Sequence, residues 1–98
     1  MVERSVLVVN ALGLHARAAA RFVKSASTYQ SSVTVAKDGT GVDGKSILGI
    51  LFLAAGARSK ITIRAEGPDE ENAVDALVAL VASGLGEPIS EAAPETRP

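Results

Sequence analysis

Lys60-Ile61-Thr62-Ile63-Arg64-Ala65-Glu66 alternates apolar and polar residues without a break. Strand side chains point to opposite faces with period two. Ile61, Ile63 and Ala65 therefore share one face, and Lys60, Thr62, Arg64 and Glu66 share the other. A strand built this way belongs to a sheet with one face on a core and one in water. Ser32 to Lys37 repeats the pattern, with Val33 and Val35 on one side. Asp38-Gly39-Thr40-Gly41 follows as a tight-turn signal, and a short strand around Val42 completes a hairpin. The β-branched run Val6-Leu7-Val8-Val9 reads as one more strand.

Helical signals separate these strands. From Ala16 onward, Ala19, Phe22, Val23 and Ala26 recur at helical spacing on one stripe, and Arg17, Arg21 and Lys24 on another. The polar stretch Ser25 to Ser32 ends that helix. Asp43-Gly44-Lys45-Ser46 is a turn, and Ser46 is an N-cap residue for an apolar helix over Ile47 to Ala55. Gly67-Pro68-Asp69 opens the last helix, with Asp69 expected as its cap and Glu70 and Glu71 suited to its positive end. Ala73, Val74, Leu77, Leu80 and Val81 line its buried face. Ser83-Gly84-Leu85 reads as a Schellman stop, with Leu85 packing back on Leu80. The order is β-α-β-β-α-β-α. It predicts an α+β two-layer domain with a four-stranded antiparallel sheet and three helices on one face. From Glu87 onward come three prolines and four charges. That composition predicts a domain over residues 1–86 and a disordered acidic tail over 87–98.

Composition narrows the function classes. Ninety-eight residues suffice for one core. With no cysteine, disulfides and thiolate chemistry are excluded, and a reducing cytoplasm suits the chain. A net charge of −1 gives no bulk attraction to nucleic acid or membrane. The longest apolar run, Ile47 to Ala57, falls well short of the ~20 residues a membrane-spanning helix needs. The apolar stretch near the start is too short for a signal peptide.

The chain has one histidine, His15, and no second His or any Cys to complete a metal site with it. A lone histidine is most often structural, but the setting Gly13-Leu14-His15-Ala16-Arg17 is distinctive. His15 stands at the start of a helix, beside backbone N–H groups that have no intrahelical partner. Those donors favour an anion. Arg17 offers a guanidinium suited to phosphate oxygens, although a solvated surface charge explains it as readily. Gly13 lets the backbone bend and lets a partner approach. Ala16, Ala18, Ala19 and Ala20 leave the site open, or simply favour the helix. A free ring nitrogen, an anion nest and an arginine are what reversible phosphorylation of histidine requires.

These residues resemble the active-site signature of the HPr family, the histidine-containing phosphocarriers of the sugar phosphotransferase system. Gly44-Lys45-Ser46-Ile47-Leu48-Gly49 resembles that family's second signature, and the likeness runs over about residues 2 to 86. It implies the HPr open-faced sandwich. It also implies that His15 takes a phosphoryl group on Nδ1 from phospho-Enzyme I, originating in phosphoenolpyruvate, and hands it to a IIA domain. Arg17 would stabilise the group in transit. The first two helices would form the docking face, with Arg17, Arg21 and Lys24 from one and Ile47, Leu48, Leu51 and Phe52 from the other. Such a protein is a monomeric carrier of phosphohistidine, not an independent catalyst, and needs no cofactor or metal. In many members the serine matching Ser46 is phosphorylated by HPr kinase/phosphorylase. A phosphate there would add about two negative charges to the docking face. Ala18 departs from the proline frequent in sugar-transport members, and the alanine-rich motif is similar to that of the nitrogen-related (NPr) branch.

Alternatives stay open on the residues alone. Ser46 is fully explained as an N-cap, and the second helix reads equally as wholly buried or as an exposed patch. A regulatory module that binds partners under control of Ser46 is the competing function. A nucleic-acid-binding domain is disfavoured, because the sheet carries no surface aromatics for stacking bases and the basic patch is small.

Overall fold

A computed structural model describes residues 1–89. The chain runs β1 (Val2–Leu7), α1 (Ala16–Ala26), β2 (Ser32–Lys37), β3 (Thr40–Asp43), α2 (Ile47–Leu53), β4 (Lys60–Glu66) and α3 (Glu70–Ala82). The strands form one antiparallel sheet in the order β1-β4-β2-β3. This is the expected α+β two-layer fold with three helices. In β4, Ile61, Ile63 and Ala65 are buried, while Lys60, Arg64 and Glu66 are exposed. Val33 and Val35 of β2 join them beneath Phe22, Ile50, Leu77 and Val81 of the helices. Phe22 is the only aromatic ring fully buried in a core of Val, Leu, Ile and Ala.

The open face is polar and cross-paired. Ser5 and Thr62 stand opposite each other with their hydroxyls 3.1 Å apart, and Arg64 lies 3.4 Å from Glu3 in the next pair. The hairpin closes at Lys37↔Thr40, with Asp38 and Gly39 both at positive φ. This is the two-residue type I′ geometry that matches the twist of antiparallel strands. Thr40 and Gly41, read above as turn, thus belong to β3.

Three boundaries and one cap differ from expectation. The first strand begins at Val2 and leaves regular structure after Leu7, instead of spanning Val6 to Val9. Its inward positions are Val2 and Val6, with Arg4 between them reaching the α3 carboxylates of Asp75 and Glu71. The interposed arginine hides the alternation from an apolar-run reading. Helix α2 stops at Leu53, where Ala54 turns left-handed. Asp69 stands at the N-cap position of α3 but does not cap it. Its carboxylate instead accepts hydrogen bonds from the backbone N–H of Gln30 and Ser31 and the Ser31 hydroxyl, tying α3 to the loop before β2. Those bonds hold the Asp69 carboxyl below its usual range.

At the other end of α3, Leu85 N–H bonds the Leu80 carbonyl and Gly84 N–H bonds that of Val81, closing the expected Schellman motif with Leu85 fully buried. Residues 87–89, the first part of the expected tail, make contacts with the domain. Glu87 N–H bonds the Gly84 carbonyl, Ala11 N–H bonds the Pro88 carbonyl at 2.9 Å, and Ile89 bridges Asn10. Unpaired backbone groups of the loop after β1 give this segment partners that its composition does not reveal. The rest of the expected tail, residues 90–98, lies outside the described residues.

Candidate functional site

His15 is the N-cap residue of α1, with extended backbone (φ −78°, ψ −177°) and no side-chain cap of its own. The first intrahelical bond runs from Ala19 N–H to the His15 carbonyl, so the amides of Ala16, Arg17 and Ala18 precede the helical ladder. The ring is therefore free to point away from the helix, and its side chain is about a quarter exposed, at 26%.

Two features upstream set that position. Gly13 has φ +68°, and a Cβ there would lie 2.5 Å from the Ala55 carbonyl oxygen and 2.7 Å from Gly56 Cα. Its bareness therefore serves contact with the chain's own loop after α2 rather than a partner. Leu14 N–H seals the contact with a 2.8 Å bond to the Ala55 carbonyl. The whole of Leu14 is buried, pinning the turn that delivers His15.

The carboxylate of Glu87 meets the ring from 72 residues away. Its two oxygens lie 2.7 and 2.8 Å from His15 Nε2. The Glu87 side chain is only 5% exposed, and Arg17 Nε stands 3.8 Å from its Oε2. Asn10, fully buried, donates through Nδ2 to Glu87 Oε1 at 2.9 Å and to the Gly13 carbonyl at 2.7 Å. Both partners only accept, which fixes the orientation of the amide. The bond to His15, and after it the bond to Asn10 and the nearby Arg17 guanidinium, hold the Glu87 carboxyl below its usual range against the opposing effect of burial.

The other sequence-derived residues divide by surroundings. Arg17 is two-thirds exposed. Arg21 donates from Nη1 to the Leu85 carbonyl at 2.8 Å, so its guanidinium clamps the segment that carries Glu87. Lys24 is exposed at the far end of α1. Ala16 and Ala20 are exposed, but Ala18 and Ala19 are fully buried against the core and add nothing to the openness of the site. Ser46 caps α2, accepting from Gly49 N–H at 3.1 Å. Lys45 reaches back to the Tyr29 carbonyl at 2.8 Å. Of the two readings of α2, the exposed patch is the one observed. Leu48 is 79% and Phe52 74% exposed, with Ile47 also open and Leu51 half-buried, while Ile50 and Leu53 face the core. Leu12, 70% exposed in the loop before His15, is a further apolar residue not singled out from sequence. Asn10 and Glu87 likewise carry no local sequence signal that marks them as part of a site. Among the described residues no cluster of three His, Cys, Asp or Glu side chains is placed to hold a metal ion. No helix among them is long and apolar enough to cross a membrane.

The fold is that of a small phosphocarrier domain. The family model described as the phosphorylation site of the HPr component of the phosphotransferase system matches residues 2–83, and the chain belongs to the HPr family. It is 46% identical over 87 residues to the phosphocarrier protein HPr of Cupriavidus necator, covering 89% of this chain and 98% of that one. It is likewise 46% identical over 81 residues to the HPr-like protein Crh of Halalkalibacterium halodurans, covering 83% and 96%. The crystal structure of HPr-C-His from Thermoanaerobacter tengcongensis superposes with a TM-score of 0.86 at 45% identity, covering 89% of this chain and 98% of that one.

Proposed function

We propose that this chain accepts a phosphoryl group on His15 from phospho-Enzyme I and passes it to a IIA-type acceptor, in sugar uptake or a regulatory relay, as a cytoplasmic monomer. The observation that carries this reading is a partly exposed imidazole at the start of α1, beside amides outside the helical ladder and the exposed Arg17 guanidinium. Those donors suit the oxygens of an arriving phosphoryl group. The ring exchanges the group with its partners and returns unchanged, so the protein carries a covalent intermediate. Arg17 stabilises the charge in transit. Arg21, Lys24, Ile47, Leu48, Leu51 and Phe52 form the surface on which donor and acceptor dock in turn.

The test is radiolabelled phosphoenolpyruvate with Enzyme I. Wild type takes up an acid-labile, base-stable label, and His15→Ala takes up none. Absence of label on the wild type with a cognate Enzyme I refutes the reading.

The open apolar patch of Leu48 and Phe52, on the helix that Ser46 caps, favours a second reading. In it the chain acts by binding a partner through α2, and phosphorylation of Ser46 by an HPr kinase/phosphorylase switches that binding. This reading gains if His15→Ala leaves the cellular phenotype intact while Leu48→Ala or Phe52→Ala destroys it.

A further inference from the structure

We propose that Glu87 is a positioning residue for phosphoryl transfer, its carboxylate fixing the His15 tautomer so that Nδ1 is the nucleophile. The inference rests on the phosphocarrier reading above. An ionised carboxylate can only accept hydrogen bonds. With both Glu87 oxygens within 2.8 Å of Nε2, that nitrogen must carry the proton. In the neutral ring the remaining lone pair then belongs to Nδ1. The arrangement has the logic of a catalytic triad, in which a buried carboxylate holds an imidazole in the tautomer and orientation its chemistry needs.

Three further observations show that the carboxylate is held in place. Buried Asn10 donates to Oε1, and the same amide binds the Gly13 carbonyl, so the turn that delivers His15 and the group that orients it share one anchor. The Pro88 carbonyl is held by Ala11 N–H. Arg21 holds the Leu85 carbonyl on the other side of Glu87. The segment 85–89 is thus tied to the site at both flanks of the carboxylate.

The transfer balances as follows. The Nδ1 lone pair forms a bond to phosphorus, and the bond from phosphorus to the donor breaks with its electron pair leaving on the donor. The Nε2 proton stays where it is. The ring acquires positive charge as the N–P bond forms, and the Glu87 carboxylate lies against it. Passing the group onward reverses these changes.

The experiment uses full-length wild type, Glu87→Ala and Glu87→Gln. ¹⁵N chemical shifts of labelled His15 at alkaline pH report the tautomer without any partner protein, and quench-flow kinetics with phospho-Enzyme I report transfer. Wild type should show Nε2–H dominant. Glu87→Ala should mix the tautomers and slow transfer by about tenfold or more, the scale of losing one charge-assisted hydrogen bond. Glu87→Gln keeps an acceptor, so it should restore the tautomer while recovering the rate only in part. Amide spectra confirm that each variant is folded. Unchanged tautomer and rate in Glu87→Ala overturn the role of Glu87 and leave the phosphocarrier reading standing. Faster transfer in Glu87→Ala also overturns it, by showing that the carboxylate obstructs the site. If wild type accepts no phosphoryl group while its tautomer is as expected, the phosphocarrier reading fails and the contact loses its catalytic purpose.

Discussion

Replacing Gly13 by Ala separates two costs that the structure combines at one residue. The first is conformational. Gly13 sits at φ +68°, and an L-residue in that region loses roughly 1–2 kcal/mol. The second is steric. The added methyl would stand 2.5 Å from the Ala55 oxygen and 2.7 Å from Gly56 Cα, both backbone atoms that no side-chain rotation can move. Forcing such an overlap typically costs a further ~1–3 kcal/mol. Gly39 is the internal control. It sits at φ +83° with nothing within 4 Å of its virtual Cβ, so Gly39→Ala carries only the conformational cost. The expected losses are about 1–2 kcal/mol for Gly39→Ala and about 2–5 kcal/mol for Gly13→Ala. For a domain this size each kcal/mol lowers the melting midpoint by roughly 4–8 °C. Urea unfolding followed by far-UV circular dichroism measures both variants against wild type, with a constant m-value securing the comparison. If the two lose the same stability within about 0.5 kcal/mol, the contact of Gly13 with the 55–56 backbone is not the constraint argued here.

Ser46→Ala removes the acceptor for Gly49 N–H and should cost about 0.5–2 kcal/mol, while Ser46→Asp keeps an acceptor and should lose little; thermal melts distinguish them. On acidification the fold should weaken through Asp69, Glu70 and Glu87, whose carboxyls are all held below their ordinary values. A group with a lowered folded-state value contributes fully above its unfolded value, near 3.8 for Asp and 4.5 for Glu, and loses that contribution as pH falls through the folded value. Asp69→Asn should therefore shrink the loss of stability as pH falls below the ordinary carboxyl range, and an unchanged pH–stability curve would refute its part.

How far the fold is legible from the chain depends on whether a signal is local. β4 can be read residue by residue, because every inward position is apolar and every outward one polar or charged. The bounds of β2 are equally plain, since Asp38-Gly39 supplies the positive-φ pair the hairpin needs. β1 defeats the same reading because Arg4 occupies an inward-facing position at the sheet edge, where carboxylates of α3 receive it. Asp69 looks like a cap because its type and place suit one. Two backbone N–H groups and a hydroxyl from the loop at 30–31 outcompete the helix for its carboxylate, and nothing near position 69 in the sequence announces them.

The candidate site divides along the same line. His15, Arg17 and the helix start lie within five residues of Gly13, so their chemistry is visible as a motif. Glu87 belongs to a stretch whose prolines and charges argue for a solvated chain, and that argument considers only what the segment can bury for itself. It omits what the segment can satisfy elsewhere. The loop after β1 presents Ala11 N–H and the Asn10 amide, α1 presents Arg21, and the ring of His15 presents a nitrogen, each needing an acceptor. The carbonyls of Leu85 and Pro88 and the carboxylate of Glu87 supply those acceptors from one short run of chain. A polar segment is thus ordered by the unmet hydrogen bonds of the surface it crosses, and the residue it brings to His15 could be found only by asking where those bonds go.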